Sequence, residues 1–90
     1  MGVPAIPDSV DSTSRESVEE FLLAVWTRAL NVGEITVEDN FFELGGDSLV
    51  ALEILVAIDE AIESEVGITE LYEQPTVREL AGYIVGAGAR

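Results

Sequence analysis

Three segments of this chain repeat apolar residues at three- and four-residue spacing, the pattern of a helix with one face turned inward. Val18, Phe21, Leu22, Val25, Trp26 and Ala29 make the first, and Ala51, Ile54, Leu55, Ile58 and Ile62 the second. Val77, Leu80, Ala81 and Ile84 make the third. Ile35 and Val37 alternate with Glu34, Thr36 and Glu38, a weak strand period with no clear pairing partner elsewhere in the chain. Apolar helix faces in so short a chain must be buried against one another. The expected fold is therefore all-α, a small antiparallel four-helix bundle of three main helices and one short one.

Capping residues set the expected boundaries. The first helix starts near Ser14, with Thr13 and Glu16, or Ser17 and Glu20, as alternative capping boxes, and ends at Asn31 and Gly33. The second runs from Ser48 to Glu63 with Asp47 as N-cap. A short turn follows over Thr69–Glu73, with Thr69 as cap and Leu71 and Tyr72 as anchors, until Gln74-Pro75 breaks it. Thr76 and Glu79 form a capping box for the last helix. Residues 1–13, rich in proline, serine and aspartate, read as a flexible N-terminal tail, and 86–90, Gly-Ala-Gly-Ala-Arg, as a frayed C-terminal tail. Residues 32–47 read as an ordered loop pinned by Phe41, Phe42 and Leu44; a long loop that brings its own anchors is often functional. Trp26 is expected in the core or at its rim.

Composition removes several classes of chemistry. The chain has no cysteine and no histidine, so disulfides, thiolate metal sites and the usual general base are excluded. No catalytic residue and no metal site is expected. Four arginines, with no lysine, face 18 acidic residues, for a net charge of −14. Such a surface repels nucleic acid and anionic membranes and attracts basic protein surfaces, although acidity also serves solubility alone. No apolar run reaches the roughly 18–20 residues that span a membrane, and the N-terminus lacks the basic start and apolar block of a signal peptide. A cytoplasmic monomer is the expectation.

Ser48 is the candidate functional residue. It follows Gly45-Gly46-Asp47 at the point where the second helical pattern begins. A hydroxyl there has three readings. It is a nucleophile, since Gly-Asp-Ser-Leu also surrounds the nucleophile of one family of esterases and lipases. It is part of ordinary turn and capping chemistry. Or it is an attachment point that another enzyme modifies. Nucleophilic catalysis needs a base to take the serine proton, and the chain has neither histidine nor lysine. The second helix adds a further sign. Opposite its core stripe stand Leu49, Leu52, Glu53, Val56 and Glu60, three of them apolar. A helix apolar nearly all round is either fully buried or docks a partner. In a short chain docking is the expected use.

Residues 39–49, Asp-Asn-Phe-Phe-Glu-Leu-Gly-Gly-Asp-Ser-Leu, resemble the modification motif of the acyl and peptidyl carrier proteins, and peptidyl carriers of nonribosomal peptide synthesis most closely. Trp26 fits an aromatic late in the family's first helix. Residues 71–77, Leu-Tyr-Glu-Gln-Pro-Thr-Val, resemble the third helix and the start of the last. The resemblance covers about residues 14–85 in order, which defines the expected carrier domain.

What the resemblance implies is a non-catalytic carrier. Ser48, flanked by Asp47 and Leu49, would bear a 4′-phosphopantetheine arm derived from coenzyme A, and the arm's thiol would hold an aminoacyl or acyl thioester. The phosphate would sit at a helix N-terminus, which favours negative charge. Gly45 and Gly46 would leave room for a transferase. Asp47 adds negative charge beside the phosphate and is a candidate to hold the transferase's metal or a basic partner. The implied partners are a phosphopantetheinyl transferase, an adenylating or acyl-loading enzyme, and condensing, tailoring or thioesterase enzymes. Leu49, Leu52, Glu53, Val56 and Glu60 are the expected partner interface.

The chain departs from peptidyl carriers in having no basic residue in or just after the second helix. Asp59, Glu60, Glu63 and Glu65 look more like the acidic helix of fatty acid carriers. Ser64-Glu65-Val66-Gly67-Ile68 is short and lacks a common proline. A polyketide or fatty acid type acyl carrier is thus one alternative, and a small acidic interaction domain without a prosthetic group another. A free-standing carrier is the expected form.

Overall fold

Ser14 begins the first helix. In the computed structural model, which describes residues 10–11, 13–62 and 66–88, Ser14 is extended and its Oγ accepts from the Ser17 amide at 3.2 Å. Neither expected capping box forms, because Asp11 occupies both competing hydroxyls. The Thr13 hydroxyl donates to Asp11 Oδ1 at 2.6 Å, and Ser17 Oγ accepts from the Asp11 amide at 3.0 Å. The Thr13 hydroxyl and amide together hold the Asp11 carboxyl below its ordinary pKa. Val10 packs against the core. The described part of the expected N-terminal tail is therefore tied to the first helix; residues 1–9 and 12 lie outside the described residues.

Helix α1 spans Arg15–Leu30 and ends at Asn31, whose left-handed backbone (φ 55°, ψ 46°) turns the chain. Helix α2 spans Ser48–Ala61. It stops short of the expected Glu63, which lies outside the described residues, since Ile62 is already extended. Helix α3 spans Ile68–Glu73. Gly67, not Thr69, stands at its start: the Gly67 amide donates to Glu70 Oε1 at 2.8 Å, which places Thr69 inside the first turn. Helix α4 spans Val77–Gly88. Thr76 Oγ1 accepts from the Glu79 amide and donates to its carboxylate, both at 3.1 Å, as the capping pair predicts. The helix continues past the expected end at residue 85, through Gly86 to Gly88, although glycine is a poor helix former.

The three apolar stripes meet as expected. Val18, Phe21, Leu22, Val25 and Trp26 of α1 bury against Ala51, Ile54 and Ile58 of α2 and Val77, Leu80, Ala81 and Ile84 of α4. Leu71 of α3 and Phe41 of the long loop complete the core. Helix α1 packs on α4 and α2, and α3 packs on α2. Among the described residues no helix is long and apolar enough to cross a membrane.

The loop between α1 and α2 forms no strand at Ile35 and Val37. Its polar groups close a local turn instead, with Asp39 Oδ2 accepting from the Thr36 amide at 2.8 Å and the Asp39 amide donating to the Thr36 carbonyl at 3.2 Å. The loop is then fastened to the start of α4. The Phe41 amide donates to the Pro75 carbonyl at 2.7 Å, and the Arg78 amide to the Val37 carbonyl at 2.9 Å. An Arg78–Glu38 ion pair of 3.0 Å lies beside the second bond, but both side chains are exposed, so it adds little.

Candidate functional site

Everything that positions Ser48 follows from how the loop before it is folded. Asn40 Oδ1 accepts from the amides of Phe42 (2.8 Å) and Glu43 (3.3 Å), which starts a turn. The Leu44 amide then donates to the Asn40 carbonyl and the Gly46 amide to the Phe41 carbonyl, both at 3.0 Å. Gly45 takes φ +94°, a conformation that a side chain strains. At Gly46 a Cβ would fall on the Phe41 ring. The two glycines therefore meet demands inside the turn, beyond the open approach to Ser48 expected of them.

Asp47 is the N-cap of α2, with an extended backbone and Oδ1 accepting from the Val50 amide at 3.0 Å. Ser48 is the first residue of the helix and is exposed. Its amide and that of Leu49 have no carbonyl one turn back within the helix. The structure thus presents a solvated hydroxyl at the N-terminal end of a 14-residue helix.

The second face of α2 faces solvent. Leu49 is 68% exposed, Leu52 53% and Val56 56%, and Glu53 and Glu60 beside them are exposed as well. Burial under the long loop, the other reading of this face, does not occur. Leu55 is half-buried at the border of the two faces.

Two residues near Ser48 have roles that the sequence did not show. Tyr72, expected as an anchor of α3, is exposed, and its hydroxyl lies 3.2 Å from Ser48 Oγ. Phe42, expected as a loop anchor, is also exposed and edges the Tyr72 ring at 5.1 Å. The two residues extend a row of edge-on aromatic contacts from the core: Trp26 to Phe41 at 5.5 Å, Phe41 to Phe42 at 5.4 Å, then Tyr72. Trp26 and Phe41 are fully buried. The row ends at the Ser48 hydroxyl. Ile68, at the start of α3, adds one more partly exposed apolar side chain.

This arrangement suits attachment far better than catalysis. The hydroxyl beside Ser48 belongs to a phenol, and the chain has neither histidine nor lysine, the usual bases that activate a serine. Residues 20–84 match the family model described as the phosphopantetheine attachment site. The chain belongs to this family. It is a non-catalytic carrier domain.

The relatives are consistent with one another. The chain is 41% identical over 68 residues to surfactin synthase subunit 2 of Bacillus subtilis, covering 76% of this chain and 2% of that protein. It is 39% identical over 69 residues to tyrocidine synthase 2 of Brevibacillus parabrevis, covering 77% of this chain and 2% of the other. Among solved structures it is similar to a chain in the complex of the phosphopantetheine transferase Sfp with coenzyme A and a peptidyl carrier protein. That match has a TM-score of 0.73 and 35% identity, covering 77% of this chain and 90% of the other. It is also similar to BlmI, a type-II acyl carrier protein from Streptomyces verticillus involved in bleomycin biosynthesis (TM-score 0.76, 28% identity, 84% and 90% covered).

Proposed function

We propose that Ser48 is the residue that receives 4′-phosphopantetheine, and that this carrier presents an aminoacyl or acyl thioester to the enzymes of a nonribosomal peptide or hybrid polyketide pathway. The observation that carries the reading is the exposed Ser48 hydroxyl at the start of α2, within a chain that matches the attachment family. The arm, once bound, supplies a thiol for thioester chemistry.

The chain's own residues hold and display the serine. Asn40, Gly45 and Gly46 fold the turn, Asp47 caps the helix, and the aromatic row fixes the side from which Ser48 is supported. For attachment, Ser48 Oγ attacks phosphorus in the pyrophosphate of coenzyme A, its proton leaves, and the bond to 3′,5′-ADP breaks. The carrier has neither histidine nor lysine to take that proton, and the carboxylate of Asp47 is engaged in capping α2, so we assign the base to the transferase.

The partners we assign are a phosphopantetheinyl transferase, an adenylating or acyl-loading enzyme, and condensing, tailoring or thioesterase enzymes. The docking surface is Leu49, Leu52 and Val56 with Glu53 and Glu60 at their edges. Apolar exposure rimmed by acids fits a partner with an apolar seat and basic surroundings. The work belongs in the cytoplasm, where coenzyme A is at hand. The peptidyl assignment rests on the similarity to peptide synthases, whereas the acidic α2 also suits an acyl carrier. Loading decides between them. The arm-bearing protein is offered a panel of amino acids and of acyl groups, each with its activating enzyme. Thioester formation with amino acids supports the peptidyl type, and formation with acyl groups alone overturns it.

A further inference from the structure

The hydroxyls of Ser48 and Tyr72 approach to 3.2 Å across 24 residues of sequence, and either could be the donor. Taking Ser48 as the attachment residue, we propose that Tyr72 is the positioning residue for the phosphodiester. Its O–H donates to a phosphate oxygen once the arm is attached and so ties α3 to α2 in the arm-bearing carrier.

Three observations lead there. First, the phenol is held in place. Tyr72 is exposed, yet its ring edges Phe42, which edges Phe41, which edges Trp26 in the core. Swinging the hydroxyl away from Ser48 would give up the edge contact of Tyr72 with Phe42. Second, the segments that build the site bring no cation of their own. Residues 29–77, which include the whole loop, α2 and α3, contain no lysine and no arginine. The acidic neighbour of Ser48 in sequence is Asp47, which disfavours a phosphate and already takes the Val50 amide. What remains to this chain is the pair of amides at the helix start and the Tyr72 hydroxyl.

Third, the chemistry of attachment changes the contact in one direction. Before it, each hydroxyl can donate or accept. Attachment replaces the Ser48 proton with phosphorus, so Oγ can no longer donate and becomes a weak ester acceptor. The non-bridging oxygens, two P–O bonds away from Oγ, now carry the negative charge. A bond from Tyr72 to one of them is charge-assisted and about twice as strong as the neutral one it replaces. Helix α3 has six residues and buries only Leu71 completely among its described side chains, so a stronger bond at Tyr72 adds measurably to what holds it.

The test compares the wild-type protein with Tyr72→Phe, which keeps the ring and removes the donor. Both are treated with coenzyme A and a promiscuous transferase, and intact mass verifies one phosphopantetheine on each. Amide hydrogen exchange of residues 68–73 and the phosphorus-31 resonance of the arm are then recorded. In the wild type, exchange in α3 should slow roughly three- to tenfold on attachment. In Tyr72→Phe the slowing should stay below about twofold, and the phosphorus resonance should differ from that of the wild type. Equal slowing in both proteins with coincident phosphorus resonances overturns the proposal, and so does no slowing in the wild type. Should Tyr72→Phe fail to fold, the wild-type pair before and after attachment still decides. A wild type that gains no arm removes the attachment reading itself, an outcome distinguishable from a failure at Tyr72, where the arm is gained and the exchange does not change.

Discussion

Replacing Gly46 with alanine tests whether the turn before Ser48 is set by the core. The added methyl would fall on the Phe41 ring. That ring is fully buried and makes edge contacts with both Trp26 and Phe42, so any shift of it disturbs its packing. Overpacking of this kind costs about 1–3 kcal/mol, and full burial of the ring places the cost near the middle of that range, about 2 kcal/mol. For a domain of this size, about 2 kcal/mol lowers the melting temperature by roughly 8–16 °C. Gly33→Ala is the control, since nothing lies within 4 Å of its would-be Cβ, and it should change stability by no more than about 0.5 kcal/mol. Melts followed by circular dichroism give the stability. Trp26 fluorescence should shift in the variant, because displacement of Phe41 reaches the indole it edges. In a double-mutant cycle, Phe41→Leu with Gly46→Ala should be less harmful than the sum of the singles by about 1 kcal/mol, as the clash is relieved. A Gly46→Ala protein that melts with the parent, with unchanged fluorescence, would refute the claim that Phe41 fills the space beside Gly46.

Three further outcomes follow from the same geometry. Leu52→Arg and Val56→Arg replace side chains more than half exposed, so stability should move by no more than about 0.5 kcal/mol while loading or condensation slows; a loss of several kcal/mol in both would mean the face is buried. Stability should rise between low salt and roughly 0.1 M, where charges are screened beyond about 10 Å, because a net charge of −14 repels itself in the folded state, whereas partner binding should weaken over the same series; a flat melting temperature would remove charge repulsion from the account. Because two bonds from Thr13 lower the Asp11 pKa, this carboxylate stabilises the fold above its unfolded pKa and loses that contribution as pH falls through the lower folded value, so Asp11→Asn should flatten the acid limb of the stability curve slightly, and an unchanged limb would count against the Asp11–Thr13 turn.

The fold was legible because periodicity reports burial directly: the stripes at Val18–Trp26, Ala51–Ile58 and Val77–Ile84 are the residues that bury. Helix starts were less legible because several side chains compete for one cap. Thr13, Ser14 and Ser17 all suit the role, and the choice of Ser14 depends on Asp11 engaging the other two. At α3 the decisive group is the Glu70 carboxylate reaching back to the Gly67 amide, which no property of Thr69 reveals. The site divides the same way. Ser48, the Asp47 cap and the solvent-facing Leu49, Leu52 and Val56 come from local pattern, since a helix apolar all round in a small chain has a face to spare. Phe42 and Tyr72 did not, because two adjacent phenylalanines look alike in sequence. Only the packing of the loop on α4 sends Phe41 inward and leaves Phe42 to meet Tyr72 at the surface.

The central claim is that Ser48 bears the arm, and peptide mapping by mass spectrometry tests it most directly. The wild-type protein and Ser48→Ala are incubated with coenzyme A and a promiscuous phosphopantetheinyl transferase, then digested. The wild type should gain the mass of one phosphopantetheine, located on the peptide that contains Ser48. Ser48→Ala should keep the parent's melting temperature, because Asp47 still caps α2, and should gain nothing. An unmodified wild type, or equal modification of the alanine variant, would contradict the account.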